Sequence, residues 1–324
     1  MHQNILIMRL IILTFTLLFS IIGFSQKTKS VAFYNVENLF DTIDGVNDDA
    51  EYLPSSKSQW ISSRYESKLS NIRQVLNDMG MPVIAGFCEV ENGNVVRDII
   101  KNQKTFKNYG LVHYDSKDAR GIDVAMIYDS SKLKMLESGF IRFILPGDTT
   151  ATSRDIVWAK YKVKKEILYV LVNHWPSRRS GAEVSELKRV KAAESANQFI
   201  DSVLNTNKTA KIILMGDLND SPTNKAPLII ARTLSPMIIN ESGKFGGTYN
   251  YKGQWEIIDH IFVSKGLNNS GKLKVIPNSG KIHSFPYLME EYKGVIVPFR
   301  TYAGSKYLGG YSDHLPVSIE ITMP

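Results

Sequence analysis

Cysteine is almost missing from this chain: 324 residues contain one, Cys88. A lone cysteine excludes an internal disulfide framework. Cys88 also sits inside the apolar run Val83–Val90, where it reads as a small packed hydrophobe. After the first 25 residues no apolar run is long enough to span a bilayer, so no later membrane helix is expected. Short-period repeats, low-complexity tracts and an interdomain linker are lacking too, which points to one large domain over residues 26–324. Acidic residues are outnumbered, 32 against 39 Lys and Arg, for a formal charge of +7. Such an excess suits polyanionic partners, nucleic acid or an anionic surface, and does not choose between them.

What is present begins with a leader. Met1–Leu10 carries one Arg, Ile11–Phe24 is almost wholly apolar, and Gly23 and Ser25 place small residues three and one positions before a cut ahead of Gln26. Residues 1–25 therefore read as a secretory signal peptide, and the mature chain as exported to the periplasm or the medium. An uncleaved anchor is the alternative, since the apolar stretch nearly spans a bilayer. No cysteine stands near the cut to take a lipid anchor.

Periodicity then gives an alternating order of elements. A strand over Ser30–Val36 is followed by an acidic stretch through Asp44, Asp48, Asp49 and Glu51 that lacks the ligand order of an EF-hand and reads as a solvated loop. A helix is predicted over Ser62–Met79, a strand over Val83–Cys88 ending at Glu89, and a helix capped by Asn92 and running through Ile100. Strands follow at Ile122–Tyr128, Lys132–Leu145, Ile156–Val163 and Ile167–Val172, and a helix at Glu183–Val203. The run Ile212–Met215 reads as a fully buried strand that stops at Gly216 and delivers Asp217 and Asn219. Ile257–Val263 is a strand interrupted by Asp259 and His260, residues 276–310 look like long surface loops, and Leu315–Ile321 is the last strand. Two packed sheets, each covered by helices, would accommodate this order.

Polar side chains gather where these strands stop: Asn35, Glu89, Asn173 with His174, Asp217 with Asn219, and Asp313 with His314. Asp259, embedded in an apolar strand, needs a partner, because an unpaired buried carboxylate is costly. A histidine is the natural one.

Taken in order, Tyr34-Asn-Val-Glu-Asn38, Cys88-Glu-Val-Glu-Asn92, Arg120-Gly-Ile-Asp123, Asn173-His174, Gly216-Asp-Leu-Asn219, Ile258-Asp-His-Ile261 and Ser312-Asp-His-Leu-Pro316 resemble the motifs of the endonuclease/exonuclease/phosphatase superfamily across nearly the whole mature chain. The resemblance implies a deoxyribonuclease I-like four-layer α/β sandwich, two mostly antiparallel sheets flanked by helices. It also implies a cation, Mg²⁺ or Mn²⁺ with Ca²⁺ as an additional ion, held by Glu89, Asn35 and Asp313. By the same resemblance His314, oriented by Asp259, is general base or phosphate stabiliser. Asp217 and Asn219 hold water and a phosphate oxygen, and His174, supported by Asp123, donates to the phosphate. Arg178 or Arg179, Arg120 and Thr248 are the candidate substrate contacts. The expected activity is a phosphodiesterase of nucleic acid acting as a monomer, with a lipid-headgroup or sugar-phosphate esterase as the alternative and a non-catalytic binding module as a third class.

Overall fold

Two parallel strand pairs, one in each of two facing sheets, aim their carboxyl ends at the same end of the molecule. The computed structural model describes residues 28–45, 48–145, 153–178, 181–269 and 271–324; the expected leader and Arg179 lie outside them. The first sheet opens with β1 (Thr28–Leu39), α1 (Ser62–Asp78), β2 (Ile84–Val90), α2 (Gly93–Ile100), β3 (Tyr109–His113) and β4 (Asp123–Asp129). The second takes β5 (Lys134–Ile141), β6 (Ile156–Val163), β7 (Glu166–His174), α3 (Ala182–Thr206), β8 (Lys211–Asp217), α4 (Lys225–Ala231) and β9 (Leu234–Pro236). A hairpin of β10 (Tyr249–Tyr251) and β11 (Gln254–Glu256) leads into β12 (Asp259–Ser264), α5 (Lys265–Asn269), β13 (Lys274–Val275) and β14 (Lys281–Ile282). Two more hairpins, β15 (Met289–Tyr292) with β16 (Val295–Pro298) and β17 (Tyr302–Ala303) with β18 (Lys306–Tyr307), precede β19 (Val317–Thr322).

The sheet orders are β13-β19-β1-β2-β4-β3, with β14 also on β19, and β5-β6-β7-β8-β12-β9. Among the described strands only β1–β2 and β7–β8 are parallel. A parallel pair needs a crossover, and α1 and α3 supply them, which places one helix on the outer face of each sheet. Ala192, Ala193, Ala196 and Ile200 of α3 pack on Leu171, Ile212 and Leu214 of the second sheet. Leu69, Ile72, Val75 and Leu76 of α1 recur at helical spacing and are buried in the main core. Between the sheets, a Cβ on Gly86 would meet Met215 Cε at 2.8 Å and Val172 Cγ2 at 3.0 Å, so glycine is what lets β2 close on β7 and β8. Helix, sheet, sheet and helix form the four layers that the motif order implied.

Several local expectations shift. β12 is not broken at Asp259 but starts there, so the carboxylate stands at a strand entrance. Residues 276–310 hold short strands and two hairpins rather than plain loops. β3, β10, β11 and α4 carry too few residues to show a period.

Two histidines sit inside this fold away from solvent. His260 Nε2 lies 2.9 Å from the Asp220 carbonyl and His283 Nε2 lies 2.8 Å from Ser318 Oγ. Burial pushes His260 down to about 4, and burial with Lys281 nearby does the same to His283. An unfolded histidine titrates at 6.5, so between that pH and about 4 the unfolded chain takes up protons that the native state refuses, and these residues cost stability on acidification. In urea unfolding, His283→Gln is expected to be less stable than the natural chain at neutral pH, with the gap narrowing by roughly 2 kcal/mol at about pH 4.5. A gap that stays constant with pH would show that His283 is not held neutral by burial.

Candidate active site

The end of β2 is a bulge. Cys88 pairs with Val124 and Val90 with Asp123, so Glu89 is the extra residue on its strand, and its φ of 59° places it in the left-handed region. A non-glycine residue held there costs of order 1–3 kcal/mol, a conformation that persists when its surroundings enforce it. Released from both ladders, the Glu89 carboxylate accepts the Asn38 N–H at 3.2 Å and lies 3.9 Å from His174 Nε2. Asn38 and Glu37 are themselves left-handed, at φ 56° and 51°, in the bulge of β1 between Asn35, paired with Cys88, and Leu39, paired with Val90.

In the other sheet the close approach of β7 and β8 sets the next pair. A Cβ on Gly216 would meet the Asn173 carbonyl at 2.3 Å, so only glycine permits the register that puts His174 beside Asp217. His174 Nε2 is then 3.7 Å from Asp217 Oδ2. Asp259 pairs with Asp217 across β12 and β8, which brings two carboxylates together in neighbouring strands. Between them comes His314: its Nδ1 is 2.8 Å from Asp259 Oδ2, its Nε2 is 3.9 Å from Asp217 Oδ2, and its ring lies against Tyr249. Ser312 holds the approach, donating its hydroxyl to the Asn35 carbonyl at 2.7 Å and accepting the His314 N–H at 3.1 Å.

Glu89, His174, Asp217, Tyr249 and His314 line a cleft of about 380 Å³ with Arg120, Arg178, Asn219, Glu256 and Asp313, and Asp259 stands behind His314. Asn219 donates its N–H to Asp217 Oδ1 at 2.9 Å and its amide to the Trp175 carbonyl at 3.0 Å. Arg178 reaches the cleft bound to Glu256 at 2.5 Å, and Arg120 is steadied by Asn38 at 3.1 Å. Asp313 is held by Arg300 at 3.1 Å, which also grips the buried Glu37 at 3.0 Å.

Three expectations change. Asp123 does not support His174; its carboxylate turns towards β3, 3.0 Å from His113 Nε2, and accepts the Ser116 N–H at 3.0 Å. Thr248 cannot touch substrate, because it is 0% exposed and its hydroxyl accepts the N–H groups of Ile258 and Asp259, both at 3.1 Å. It orients the start of β12. Asn35 lies behind Asp217, donating to it at 3.0 Å while its own oxygen accepts the Glu37 N–H at 3.0 Å, so it aims Asp217 rather than facing the cleft. Sequence reasoning missed Glu256, at the end of the three-residue strand β11, and Arg300, between β16 and β17, where the elements are too short to show a period.

Electrostatics follows from crowding. Burial, with Asp259 and Glu89 adding to it against the opposing His314, pushes Asp217 up to about 7. Burial alone would lower His314, but the carboxylates of Asp259 and Asp217 outweigh it and hold the ring well above its usual value. Glu37 is pushed up to about 7 by burial and the charge of Asp313. Hard oxygen donors from Glu89, Asp217 and Asp313 around one cleft, with negative charge in such excess, fit a divalent cation of the Mg²⁺ or Mn²⁺ kind. Among the described residues, the groups whose candidate ligand atoms lie within 4.8 Å of one another are Cys88–His174–Asp217, Asp217–Asp259–His314 and, apart from the cleft, His113–Asp115–Asp123; Glu89 and Asp313 line the same cleft without joining one of them.

Residues 30–323 match the model of the Endonuclease/Exonuclease/phosphatase family. The chain belongs to that family. It is accordingly a metal-dependent phosphoric ester hydrolase. Among solved structures it is similar to the human Nocturnin catalytic domain with bound sulfate, at 16% identity and TM-score 0.58, covering 92% of this chain and 95% of that one. It is also similar to a mannosyl-6-phosphatase from Bacteroides thetaiotaomicron, at 17% identity and TM-score 0.56 over 90% and 99% of the chains. Truncated TDP2 from Caenorhabditis elegans matches at 14% identity and TM-score 0.56 over 91% and 97%. Likeness at these identities speaks to the fold. No curated protein matches the sequence.

Asp259→Asn and His314→Ala are each expected to lower kcat by about 10²–10⁴, the span of general acid–base and charge stabilisation, while thermal melts stay cooperative. Asp123→Asn should leave kcat near that of the natural chain. Equal losses from all three would mean that the His314–Asp259 pair has no special part in turnover.

Proposed function

We propose that the protein is a phosphodiesterase that cleaves single-stranded nucleic acid or short oligonucleotides. The supporting observation is a second cavity, about 470 Å³, which adjoins the cleft and shares Arg120 with it. A phosphodiester carries a group on each side of phosphorus, and two adjoining cavities can take both. The cleft presents Tyr249 and Tyr251, and the neighbouring cavity presents Tyr52 and Tyr302. Aromatic faces suit unpaired bases, which can leave a single strand but not an intact duplex without a penalty.

In this reading Arg120 and Arg178 grip phosphoryl oxygens, and His174 and Asn219 donate to them. Water for in-line attack sits against the Asp217 carboxylate, which accepts a hydrogen bond from it and orients it. His314, kept protonated by Asp259 and Asp217, donates through Nε2 to the charge that builds at phosphorus. Glu89, Asp217 and Asp313 would hold a divalent cation, which would supply positive charge against the negative charge of the phosphoryl oxygens. Export as a monomer, with residues 1–25 as the leader, belongs to the same proposal. Among the described residues no helix is long and apolar enough to cross a membrane.

A sugar-phosphate esterase is the second reading. It is favoured by Asp48 and Glu51 in the neighbouring cavity, which repel a polyanion and can accept hydrogen bonds from hydroxyl groups. Incubation of chelator-stripped protein with single-stranded DNA, RNA, closed circular duplex and hexose phosphates, with Mg²⁺ or Mn²⁺ restored, separates the two. Cation-dependent cutting of single strands well ahead of duplex is expected. Release of phosphate from hexose phosphates alone would replace the proposal with the second reading, and full activity in excess chelator would remove the cation from it.

A further inference from the structure

The positive charge of this chain is not where the chemistry is. β7 and β8 start at Glu166 and Lys211 and end in the cleft at His174 and Asp217, so the starts of these strands form a pole roughly 25 Å from the catalytic groups. That pole is lined by lysines. Lys164 and Lys165 form the β6–β7 turn, Lys162 precedes it, and Lys134 stands directly across from Lys162 in β5. Lys265 follows β12, and Lys274 pairs with Thr322 at the end of β19. All six are exposed. Like charges set opposite each other across a strand pair disfavour the fold, so the Lys134–Lys162 pairing is a cost that an anionic partner would remove.

Three nearby carboxylates have partners, while Glu320, two residues before Thr322 on β19, is exposed and offsets one of the lysines. Glu137 lies 3.8 Å from Lys160, Glu166 lies 3.7 Å from Lys211, and Asp129 accepts the N–H and hydroxyl of Ser131 at 2.9 and 2.6 Å. The six cations are lysines, compact charges on flexible stems without the planar fork that reads phosphate or base edges in fixed geometry. Beside Lys134, Met135 and Leu136 are 38% and 45% exposed and supply apolar contacts among the charges.

We infer that this pole docks on an anionic phospholipid surface and turns the catalytic cleft away from the bilayer. Lysines near such a surface are attracted to its negative potential, and exposed apolar side chains at the same edge can enter the headgroup region. The surface is independent of which phosphoester the cleft takes.

The test uses the chain from residue 26 onward, which carries every described element, and vesicles of phosphatidylcholine alone or mixed with phosphatidylglycerol. Flotation should show binding to the mixed vesicles only, weakening as salt rises from about 0.05 M to about 0.3 M. The variant K162E/K165E/K265E/K274E should lose at least about a hundredfold in vesicle affinity, given roughly fivefold per lysine, yet hydrolyse a soluble chromogenic phosphodiester at the natural rate. Natural activity in the variant establishes that it is folded. Equal binding to both vesicle types, no binding to the mixed vesicles, or undiminished binding by the folded variant would each overturn the inference. So would displacement of the vesicles by equimolar single-stranded DNA, which would assign the pole to nucleic acid.

Discussion

Strand polarity forces Glu89, Asp217, Asp259 and Asp313 onto one end of the molecule, and the rest of that end is arranged around their mutual repulsion. Asp259 and Asp217 are cross-strand partners, so neither can move away without breaking the β8–β12 ladder. Water cannot screen them, since both are buried, and unscreened carboxylates this close do not all keep their charge at ordinary cost. His314 stands between the two, Asn35 donates to one, and Arg300 takes Asp313. The negative charge that these groups leave uncompensated is what a divalent cation would offset in the function proposed.

That arrangement also changes the meaning of the net charge. A formal +7 suggested a basic groove for a polyanion, but the cleft and its neighbour are lined by at least as many carboxylates as guanidiniums, whereas lysines crowd the opposite pole. In the function proposed, a substrate is held at the cleft by few contacts, Arg120 and Arg178 at phosphate and tyrosines beside it, rather than drawn in by a broad field. The charge on the far pole serves orientation. Separating the two tasks lets one surface carry charge for docking without neutralising the carboxylates that the chemistry needs.

Much of this could be read from the chain because its decisive residues stand at strand ends. His174, Asp217 and His314 each follow or precede an apolar run that marks where a strand stops, Asn35 ends the regular part of β1 before its bulge, and the need of a buried Asp259 for a histidine partner was a matter of solvation. Thr248 and Asp123 show where that reasoning failed. Both lie in the right region, but whether a side chain faces the cleft or the neighbouring strand depends on a single step of register, which composition does not reveal. Glu89 shows a further gap: nothing in Cys-Glu-Val-Glu announces a left-handed bulge that lifts one carboxylate out of two ladders. The salt bridges of Arg178 to Glu256 and Arg300 to Glu37 span long stretches of sequence and were invisible for that reason.

The claim that these carboxylates form one cation site next to the phosphate-binding groups is tested most directly by locating the ion. Crystals equilibrated with Mn²⁺ should give an anomalous peak in the cleft, in contact with the Glu89 carboxylate, and the peak should vanish in Glu89→Gln while the surrounding structure stays in place. A peak confined to the separate His113–Asp115–Asp123 cluster, or a cleft without Mn²⁺ at saturating concentration, would contradict the account.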